Sequence, residues 1–193
     1  VSVEEDGCWS ITRDYIEGKT LTELMKGNPD KRDEYLNQMV ELQLMIHSKT
    51  CPLLNKLKDK MARQISEMEE LDPVNRYDLL TRLDSTPKHT KLCHGDFQPD
   101  NIIVKEDGTM YVGDWVHAAQ GNASADVART YLLFCLTDQA AADKYMDRFC
   151  EKTVTAKRYL QQWLPLVAAA QLTKKRPEEK ELLQSWLNVC DYQ

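Results

Sequence analysis

Apolar residues recur at three- and four-residue steps through the first half of the chain, which places them on one face of an α-helix. Three stripes follow this spacing: Leu36, Met39, Val40 and Leu44; Leu57, Met61, Ile65 and Met68; and Val74, Tyr77, Leu80 and Leu83. Pro52 separates the first two stripes, and Pro87 follows the third. Because proline interrupts helical hydrogen bonding, the pattern predicts three separate helices whose Met and Leu side chains belong to the core.

The start of the chain has a different pattern. Residues 8–16 mix aromatic, β-branched and polar side chains as a strand does, and a Glu-Gly pair then ends that run. Thr20 followed by Glu23 has the spacing of a capping box. We therefore expect a strand first, and then a short helix that stops at Gly27.

In the middle of the chain the helical pattern gives way to short extended runs. Residues 91–93 and 101–104 are short extended runs that flank a polar loop. Asp107-Gly108 is a typical hairpin turn and leads into a further extended run over residues 109–113. A small β hairpin unit is therefore expected inside a helical chain.

From Ala123 onward the helical spacing returns. The predicted buried faces comprise Tyr145, Met146 and Phe149, then Leu160, Trp163, Leu164 and Val167, and finally Leu183, Trp186, Leu187 and Cys190. Pro177 and two acidic residues after it suit the first turn of the last helix. The whole pattern predicts a mainly α fold with a small β hairpin unit.

Size and charge narrow the class of protein. A chain of 193 residues with 42% hydrophobic content fits one domain or one lobe of a larger protein. Its net charge of -6 argues against a broad nucleic-acid interface; it would suit a cationic small molecule but is also ordinary for a cytosolic protein. No apolar run approaches the ~20 residues that span a bilayer, so no membrane anchoring is expected.

The cysteines indicate a reducing environment. Six of them are widely scattered, without a Cys-x-x-Cys pair or a histidine at zinc-ligand spacing. Three disulfides are possible in principle, but a chain with this much apolar sequence does not need them. We therefore predict reduced thiols and a cytoplasmic location.

The candidate chemistry lies in the sequence HGDFQPDN at residues 94–101, which is followed after the hairpin by Asp114. Asn101 and Asp114 offer one amide and one carboxylate oxygen, a donor set that suits Mg²⁺ bound to phosphate. Asp96 remains free to accept a proton from an attacking hydroxyl group. His94 is better placed to brace the loop by hydrogen bonding than to transfer protons.

Each of these residues alone would be ordinary turn chemistry. Together, the pattern His-x-Asp-x-x-x-x-Asn followed by a hairpin that ends in Asp is the arrangement of a kinase catalytic and metal-binding loop. The combined spacing therefore favours phosphoryl transfer over coincidence.

The stretches LCHGDFQPDNIIV, YVGDW and GNASADVARTYLL resemble the aminoglycoside phosphotransferase and choline-kinase-like family of small-molecule kinases. TRDYIEGKTLTELM resembles, less closely, the hinge and first helix of that family. The resemblance implies the C-terminal lobe of a protein-kinase-like fold. Gly95 stands where protein kinases have Arg, and no activation loop follows Asp114, so a small-molecule hydroxyl acceptor (aminoglycoside-like, choline-like or sugar-like) is preferred to a protein.

Carried over residue by residue, the resemblance makes Asp96 the catalytic base and makes Asn101 and Asp114 the Mg²⁺ ligands. It implies ATP, or another nucleoside triphosphate, whose adenine edge would pair with the backbone carbonyl of Asp14 and the backbone amide of Ile16. For Asp126 two interpretations stay open. It either hydrogen bonds back to the catalytic loop or is an ordinary acidic residue in the first turn of a helix.

The sequence lacks the features of a nucleotide-binding β lobe. None of its glycines falls in Gly-x-Gly spacing, and the first residue is Val, so the chain is expected to begin inside a longer gene product or to have been cut. We expect residues 1–18 to be a remnant strand and hinge of the N-terminal lobe, and residues 19–193 to be the helical catalytic and substrate-binding lobe. The alternatives are a non-catalytic ligand-binding module and a regulatory fragment that pairs with a separate nucleotide lobe.

Four acidic residues near the C-terminus could meet a cationic acceptor, although a solvated helix face is the commoner explanation. They are Glu178, Glu179, Glu181 and Asp191. Among the histidines, His47 lies on an apolar stripe and is expected in the core, and His89 is expected in a loop. His117 follows the proposed metal ligand closely, but the sequence gives it no role.

Overall fold

The structure is a computed structural model and describes residues 2–3, 9–10 and 12–187. In these residues the helices are α1 (Leu21–Gly27), α2 (Arg32–His47), α3 (Leu57–Glu67), α4 (Pro73–Ser85), α5 (Ala123–Cys135), α6 (Gln139–Thr153), α7 (Lys157–Gln161), α8 (Leu164–Leu172) and α9 (Pro177–Leu187). The strands are β1 (Ser2–Val3), β2 (Trp9–Ser10), β3 (Lys19–Thr20), β4 (Lys91–Cys93), β5 (Ile102–Val104), β6 (Met110–Val112) and β7 (Ala119–Gly121). This confirms a mainly helical chain with small β units.

Side-chain caps fix where several helices begin. At the start of α1, Thr20 accepts the backbone N–H of Glu23 at 3.2 Å, and the Glu23 carboxylate accepts the backbone N–H of Thr20 at 2.7 Å. This is the capping box that the sequence predicted. Asn122 caps α5 in a simpler way by accepting the backbone N–H of Ser124 at 2.9 Å.

The strands form three small antiparallel sheets in the order β1-β2, β3-β5-β6 and β4-β7. The hairpin β5-β6 pairs Ile102 with Val112 and Val104 with Met110, as the Asp-Gly turn signal predicted. β3 lies on the other side of β5, where Thr20 pairs with Ile103. The segment that precedes α1 is therefore hydrogen bonded to the hairpin.

Two hydrophobic clusters form the core, and α5 lies between them. Ala125, Ala128 and Leu132 pack into a cluster with the buried faces of α3, α4, α8 and α9. Val127 and Phe134, on the opposite side of α5, pack into a second cluster with α1, α2 and α6. Because both clusters close on α5, that helix holds a fixed position at the centre of the molecule.

Some predicted elements differ from the observed ones. The predicted strand over residues 8–16 is wrong for its described second half, since residues 12–17 lie outside any strand and only Trp9–Ser10 is extended and paired. In α4 the buried residues are Leu79 and Leu83, whereas Val74 and Tyr77 are exposed. The reason is that α4 contacts the core on one side only. Its apolar residues extend around the helix beyond the side that the core covers.

The face predicted over residues 160–167 divides between two helices, because α7 ends at Gln161 and α8 starts at Leu164. Its apolar residues are nevertheless buried, as are Tyr145 and Phe149 on α6. Cys190, the predicted last member of the α9 face, lies outside the described residues.

Cys51, Cys93, Cys135 and Cys150 are free thiols, in agreement with the prediction of reduced cysteines. Cys8 lies outside the described residues. In the part of the chain that the structure describes, every helix is too short or too polar to cross a lipid bilayer.

Candidate active site

The loop that carries the HGDFQPDN sequence connects β4 to β5 and is held in a tight turn at Gly95. Gly95 has a φ of 79°, in the left-handed region, and a Cβ atom at this position would lie 2.5 Å from the backbone oxygen of His117. Only glycine fits both constraints. Glycine at this position, where the sequence departs from the protein-kinase pattern, is therefore required by the path of the backbone.

Asp126 lies beneath this loop, in the first turn of α5, and is buried. One carboxylate oxygen accepts the backbone N–H of Gly95 at 2.7 Å, and the other accepts the backbone N–H of His94 at 3.1 Å. The Nε2 atom of His47 lies 2.9 Å from the second oxygen. The two interpretations of Asp126 are thus both correct, because it lies in a first helical turn and bonds to the loop.

These partners keep the Asp126 carboxyl group ionised. Burial by itself raises the pKa of Asp126, but the hydrogen bond and charge of His47 and the two backbone N–H groups outweigh burial and lower it below its ordinary value. His47 is buried, as predicted, and contacts the ring of Phe149. It is more than a packed core residue, since it supplies the polar partner of the buried carboxylate.

Asp96 is nearly enclosed and is oriented by polar neighbours on its own loop. Gln98 and Asn101 each donate a side-chain N–H to Oδ2 of Asp96 at 3.1 Å. The Asn101 amide also donates to the backbone oxygen of Asp96 at 2.8 Å. On the other side, Oδ1 of Asp96 lies 3.5 Å from the guanidinium group of Arg129. The carboxylate therefore has one oxygen held by the loop and the other facing a cation from α5.

His94 braces the loop by the hydrogen bonding that the sequence suggested. Its Nε2 donates to the backbone oxygen of Gly113 at 2.9 Å, while its Nδ1 accepts the backbone N–H of Asp96 at 3.2 Å. Its ring also lies against Trp115, with ring centroids 4.6 Å apart. Both ring nitrogens are occupied, which leaves His94 a structural role.

Asp114 follows the hairpin and is linked to Asn101 through the backbone. The N–H of Gly113 donates to the backbone oxygen of Asn101 at 2.8 Å. Asp114 itself is exposed and has a φ of 53°, a left-handed conformation that is uncommon outside glycine and that concentrates at functional sites. The structure thus brings Asp96 and Asn101 into direct contact and places Asp114 next to the residue that bonds to Asn101.

The donors of Asn101 and Asp114 fit a hard cation. The Asn101 amide nitrogen is used by Asp96, whereas its oxygen accepts no hydrogen bond from any residue that the structure describes. The Asp114 carboxylate likewise has no hydrogen bond or ion pair with the described residues. Free carboxylate and amide oxygens are the ligands that Mg²⁺ takes from proteins alongside phosphate and water.

Asp14 and Ile16 lie in the irregular segment 12–17, just before β3. Asp14 is exposed and Ile16 is partly buried. The carbonyl of Asp14 and the amide of Ile16 form no backbone hydrogen bond with described residues. Both groups are therefore available to a ligand with its own donor and acceptor, as an adenine edge has.

A pocket lies beside the loop, between α3, α5 and α8. Leu57, Met61 and Val167 supply apolar walls. Its polar lining includes three cationic side chains, Lys60, Arg129 and Lys174. No pattern in the sequence predicts this group of cations, because its members come from separate elements and each resembles an ordinary surface cation.

The two lysines of this pocket are partly buried, and each lies within the electrostatic influence of Arg129. Burial, followed by the charge of Arg129, lowers the pKa of Lys60 and of Lys174, although the nearby Asp96 carboxylate opposes the shift. Burial and the charge of Lys60 also lower the pKa of His117, which lines the same pocket. The pocket therefore carries an excess of positive charge that its own carboxylates do not balance.

The prediction that the acidic residues near the C-terminus form a solvated helix face is wrong for one of them. Glu179 is buried, and its carboxylate accepts from Gln171 at 2.5 Å and from Arg176 at 3.0 Å. Glu178 and Glu181 are exposed on α9, as predicted. The first turn of α9 packs against α8, which draws one of its acidic side chains inward. Asp191 lies outside the described residues.

Comparison with known proteins is consistent with this site. Residues 8–160 match the profile of the phosphotransferase enzyme family, abbreviated APH. A search among curated protein sequences finds no match.

Many solved structures resemble the chain, among them LicA and the aminoglycoside phosphotransferase APH(4)-Ia. LicA in complex with AMP has a TM-score of 0.62 and 17% sequence identity, over 90% of this chain and 67% of LicA. The choline kinase LicA from Streptococcus pneumoniae has a TM-score of 0.59 and 18% identity, over 86% of this chain and 59% of that one. A thermostable mutant of aminoglycoside phosphotransferase APH(4)-Ia, in a ternary complex with AMP-PNP and hygromycin B, has a TM-score of 0.59 and 18% identity, over 89% and 66%. At these identities the likeness shows a shared kinase-like fold, and the chain spans between 59% and 67% of these proteins.

Proposed function

The chain belongs to the phosphotransferase enzyme family, and we propose that it is the catalytic and acceptor-binding lobe of an ATP-dependent kinase that phosphorylates a hydroxyl group of a small molecule. The observation that carries the proposal is the contact between Asp96 and Asn101 on a loop fixed from below by Asp126. Residues 19–193 would form this lobe, and residues 1–18 would belong to the hinge and the strand before it.

The structural relatives support nucleotide use. LicA is described in complex with AMP, and APH(4)-Ia in complex with AMP-PNP. On this chain, the free backbone groups of Asp14 and Ile16 would pair with the adenine edge. Because the relatives are longer than this chain, a β-rich lobe that covers the nucleotide phosphates would complete the site, on the same or on a separate polypeptide.

Asp96 is proposed as the general base. Gln98 and Asn101 fix Oδ2, so the carboxylate has one orientation, and Oδ1 lies 3.5 Å from Arg129, which lines the pocket. A hydroxyl group of an acceptor in that pocket would donate its proton to Asp96 as its oxygen attacks the terminal phosphoryl group. The base is oriented before the acceptor arrives, which lowers the ordering needed to reach the transition state.

Asn101 and Asp114 are proposed as ligands of Mg²⁺, which when bound would neutralise charge on the nucleotide phosphates. Their free oxygens and their link through the backbone of Gly113 support this role. His94 and Asp126 would act only by positioning, because their hydrogen bonds hold the loop and leave no group free for the reactants.

The second candidate is a non-catalytic module that holds a ligand without phosphoryl transfer, either alone or as a regulatory partner of a separate nucleotide lobe. The basic pocket supports this candidate, since Lys60, Arg129 and Lys174 would hold a ligand without a nucleotide. The oriented Asp96 favours the enzyme, since a mere binding site has no need of a carboxylate fixed by two amides.

The two candidates differ in their response to Asp96→Asn. The full-length gene product would be assayed for ADP formation with MgATP and a panel of small alcohols. We expect Asp96→Asn to lower turnover by about 10²- to 10⁴-fold, the usual contribution of a general base, with an unchanged circular dichroism spectrum. Asp100→Asn is the matched control, because Asp100 lies exposed on the same loop. Wild-type turnover in Asp96→Asn would reject Asp96 as the base, and no ADP with any alcohol would favour the non-catalytic module.

A further inference from the structure

We propose that the pocket beside Asp96 takes an acceptor that carries an anionic group, a carboxylate or a phosphate, and that Lys60, Arg129 and Lys174 bind this group. The role of this ligand as a phosphoryl acceptor rests on the proposed function. The binding of an anion in this pocket can be tested without catalysis.

The three cations converge from separate parts of the fold. Lys60 lies on α3, Arg129 on α5, and Lys174 just beyond the end of α8, and all three line one pocket. Three elements that meet in the core hold them, so their spacing is set by the packing of the first hydrophobic cluster. The arrangement of the three cations is therefore fixed by the fold, unlike that of a chance group of surface lysines.

Arg129 is the fixed member of the cluster. Only 13% of its side chain is exposed, and its guanidinium group contacts both Asp96 and the side-chain oxygen of Gln171. Gln171 is in turn held by Glu179 at 2.5 Å. These contacts use part of the planar fork, and Arg129 remains among the residues that line the pocket.

Carboxylates lie near Lys60 and Lys174 without pairing with them. Neither forms an ion pair with a carboxylate in the part of the chain that the structure describes, and the Lys60 ammonium group has only the backbone oxygen of His117, at 3.5 Å. Burial first, and then repulsion by the nearby Arg129 guanidinium group, lowers the pKa of both lysines. A bound anion would remove this repulsion and supply charge-assisted hydrogen bonds.

The carboxylates near the pocket are already engaged. Asp126 lines the pocket, but both of its oxygens accept hydrogen bonds from the loop. Asp96 is shared between Gln98, Asn101 and Arg129. No carboxylate of the described lining residues is therefore free to bind a cationic amine, and an amine would meet three like charges.

The rest of the pocket suits an uncharged body. Leu57, Met61, Ala125, Val167 and Ala170 form its apolar lining. An acceptor that matches both parts has an apolar or neutral frame, an anionic group toward the lysines, and a hydroxyl group within reach of Asp96.

The test uses compounds that share one frame and one hydroxyl group and differ only in charge. The aromatic set is para-hydroxymethyl benzoate, its amide and the corresponding benzylamine; the aliphatic set is hydroxybutanoate, hydroxybutanamide and aminobutanol. Binding to the purified chain is measured by isothermal titration calorimetry without nucleotide. We expect the carboxylate of at least one set to bind about tenfold more tightly than its amide, and the amine to bind most weakly. Equal binding within both sets, tighter binding of the amines, or no binding at all would overturn the proposal.

Lysine variants assign the effect to the pocket. Lys60→Gln and Lys174→Gln should each weaken carboxylate binding about tenfold and leave amide binding unchanged. Lys180→Gln is the control, because Lys180 is exposed on α9 and pairs with Glu70 at 3.3 Å. Unchanged carboxylate binding in both pocket variants would overturn the proposal.

A second source of negative charge is the nucleotide itself. The titrations are therefore repeated with saturating Mg·AMP-PNP on the full-length gene product. If the lysines serve the acceptor, the carboxylate still binds, and the pocket variants leave AMP-PNP affinity unchanged. Competition between AMP-PNP and the carboxylate, with weaker AMP-PNP binding in the variants, would overturn the proposal. Lysine-dependent carboxylate binding without phosphorylation of any compound would instead contradict the proposed kinase function and leave the anion site standing.

Discussion

The carboxylate of Asp126 accepts the backbone N–H of Gly95 at 2.7 Å, although the two residues are 31 positions apart in the sequence. This bond joins the central helix α5 to the loop that carries Asp96. Because α5 is packed between the two hydrophobic clusters, its hydrogen bonds to the loop hold the loop in a fixed position relative to the core. The position of the candidate base is thus set by hydrogen bonds from the loop to a buried residue of the central helix.

Replacing Asp126 by Asn should lower the free energy of unfolding by about 3 kcal/mol, because the substitution neutralises a buried carboxylate that His47 and two backbone N–H groups contact, and it turns one acceptor into a donor. Urea unfolding followed by circular dichroism measures the effect. Asp59→Asn is the control, since Asp59 is an exposed acidic residue in the first turn of α3. It should change stability by no more than about 0.5 kcal/mol. Equal effects of the two substitutions would contradict the role given to Asp126.

Acid should weaken the stabilising contribution of Asp126. Its folded-state pKa is below the ordinary value of 3.8, so the unfolded state takes up a proton before the folded state does. Stability from this carboxylate is therefore complete above the unfolded value and is lost as the pH falls through the lower, folded value. We expect the stability difference between the wild type and Asp126→Asn to narrow as the pH is lowered below 3.8. A difference that widens on acidification would show the opposite sign of the pKa shift.

Gly95→Ala should be more damaging than Gly108→Ala. Both glycines have a positive φ, 79° and 83°, so both substitutions carry the cost of a left-handed alanine, about 1 kcal/mol. At Gly95 the new Cβ atom would also collide with a backbone oxygen. At Gly108 no atom lies within 4 Å of the position that the new Cβ atom would take. We expect a loss of about 3 kcal/mol at Gly95, measured by thermal or urea unfolding. Similar losses at the two positions would mean that the loop yields without strain.

Glu179→Gln should cost about 1–2 kcal/mol, because the new amide group presents a donor to the Gln171 side chain and removes the charge that faces Arg176. Glu178→Gln, one position earlier and exposed, is the matched control and should change little. Urea unfolding of both variants provides the comparison. If the two substitutions have the same effect, Glu179 contributes no more than a surface charge does.

Much of the fold and of the loop could be predicted because the relevant signals are local. Helical periodicity, the capping box at Thr20 and the Asp-Gly turn each depend on neighbours within a few residues. The HGDFQPDN sequence likewise forms its own contacts, since Gln98 and Asn101 lie two and five positions after the residue they orient. Short-range patterns of this kind can be recognised in the sequence without knowledge of the tertiary structure.

What could not be predicted depends on how distant elements pack. Lys60 and Lys174 resemble solvated cations until α3 and α8 are seen to meet at α5. Glu179 resembles its exposed neighbour until the first turn of α9 is placed against α8. The apolar face of α4 was overestimated for the same reason, because burial depends on how much of a helix its neighbours cover.

The pairing of β3 with β5 ties the two ends of the proposed nucleotide site to one another. Thr20 lies opposite Ile103, two positions after Asn101, and the irregular segment with Asp14 and Ile16 leads directly into β3. Neighbouring strands in a sheet keep a spacing of about 4.8 Å. An adenine ring bound at Asp14 and Ile16 and a metal ion bound at Asn101 would therefore lie at a distance that the paired strands set. A nucleotide whose adenine and phosphates are separated by a different distance would not reach both sites.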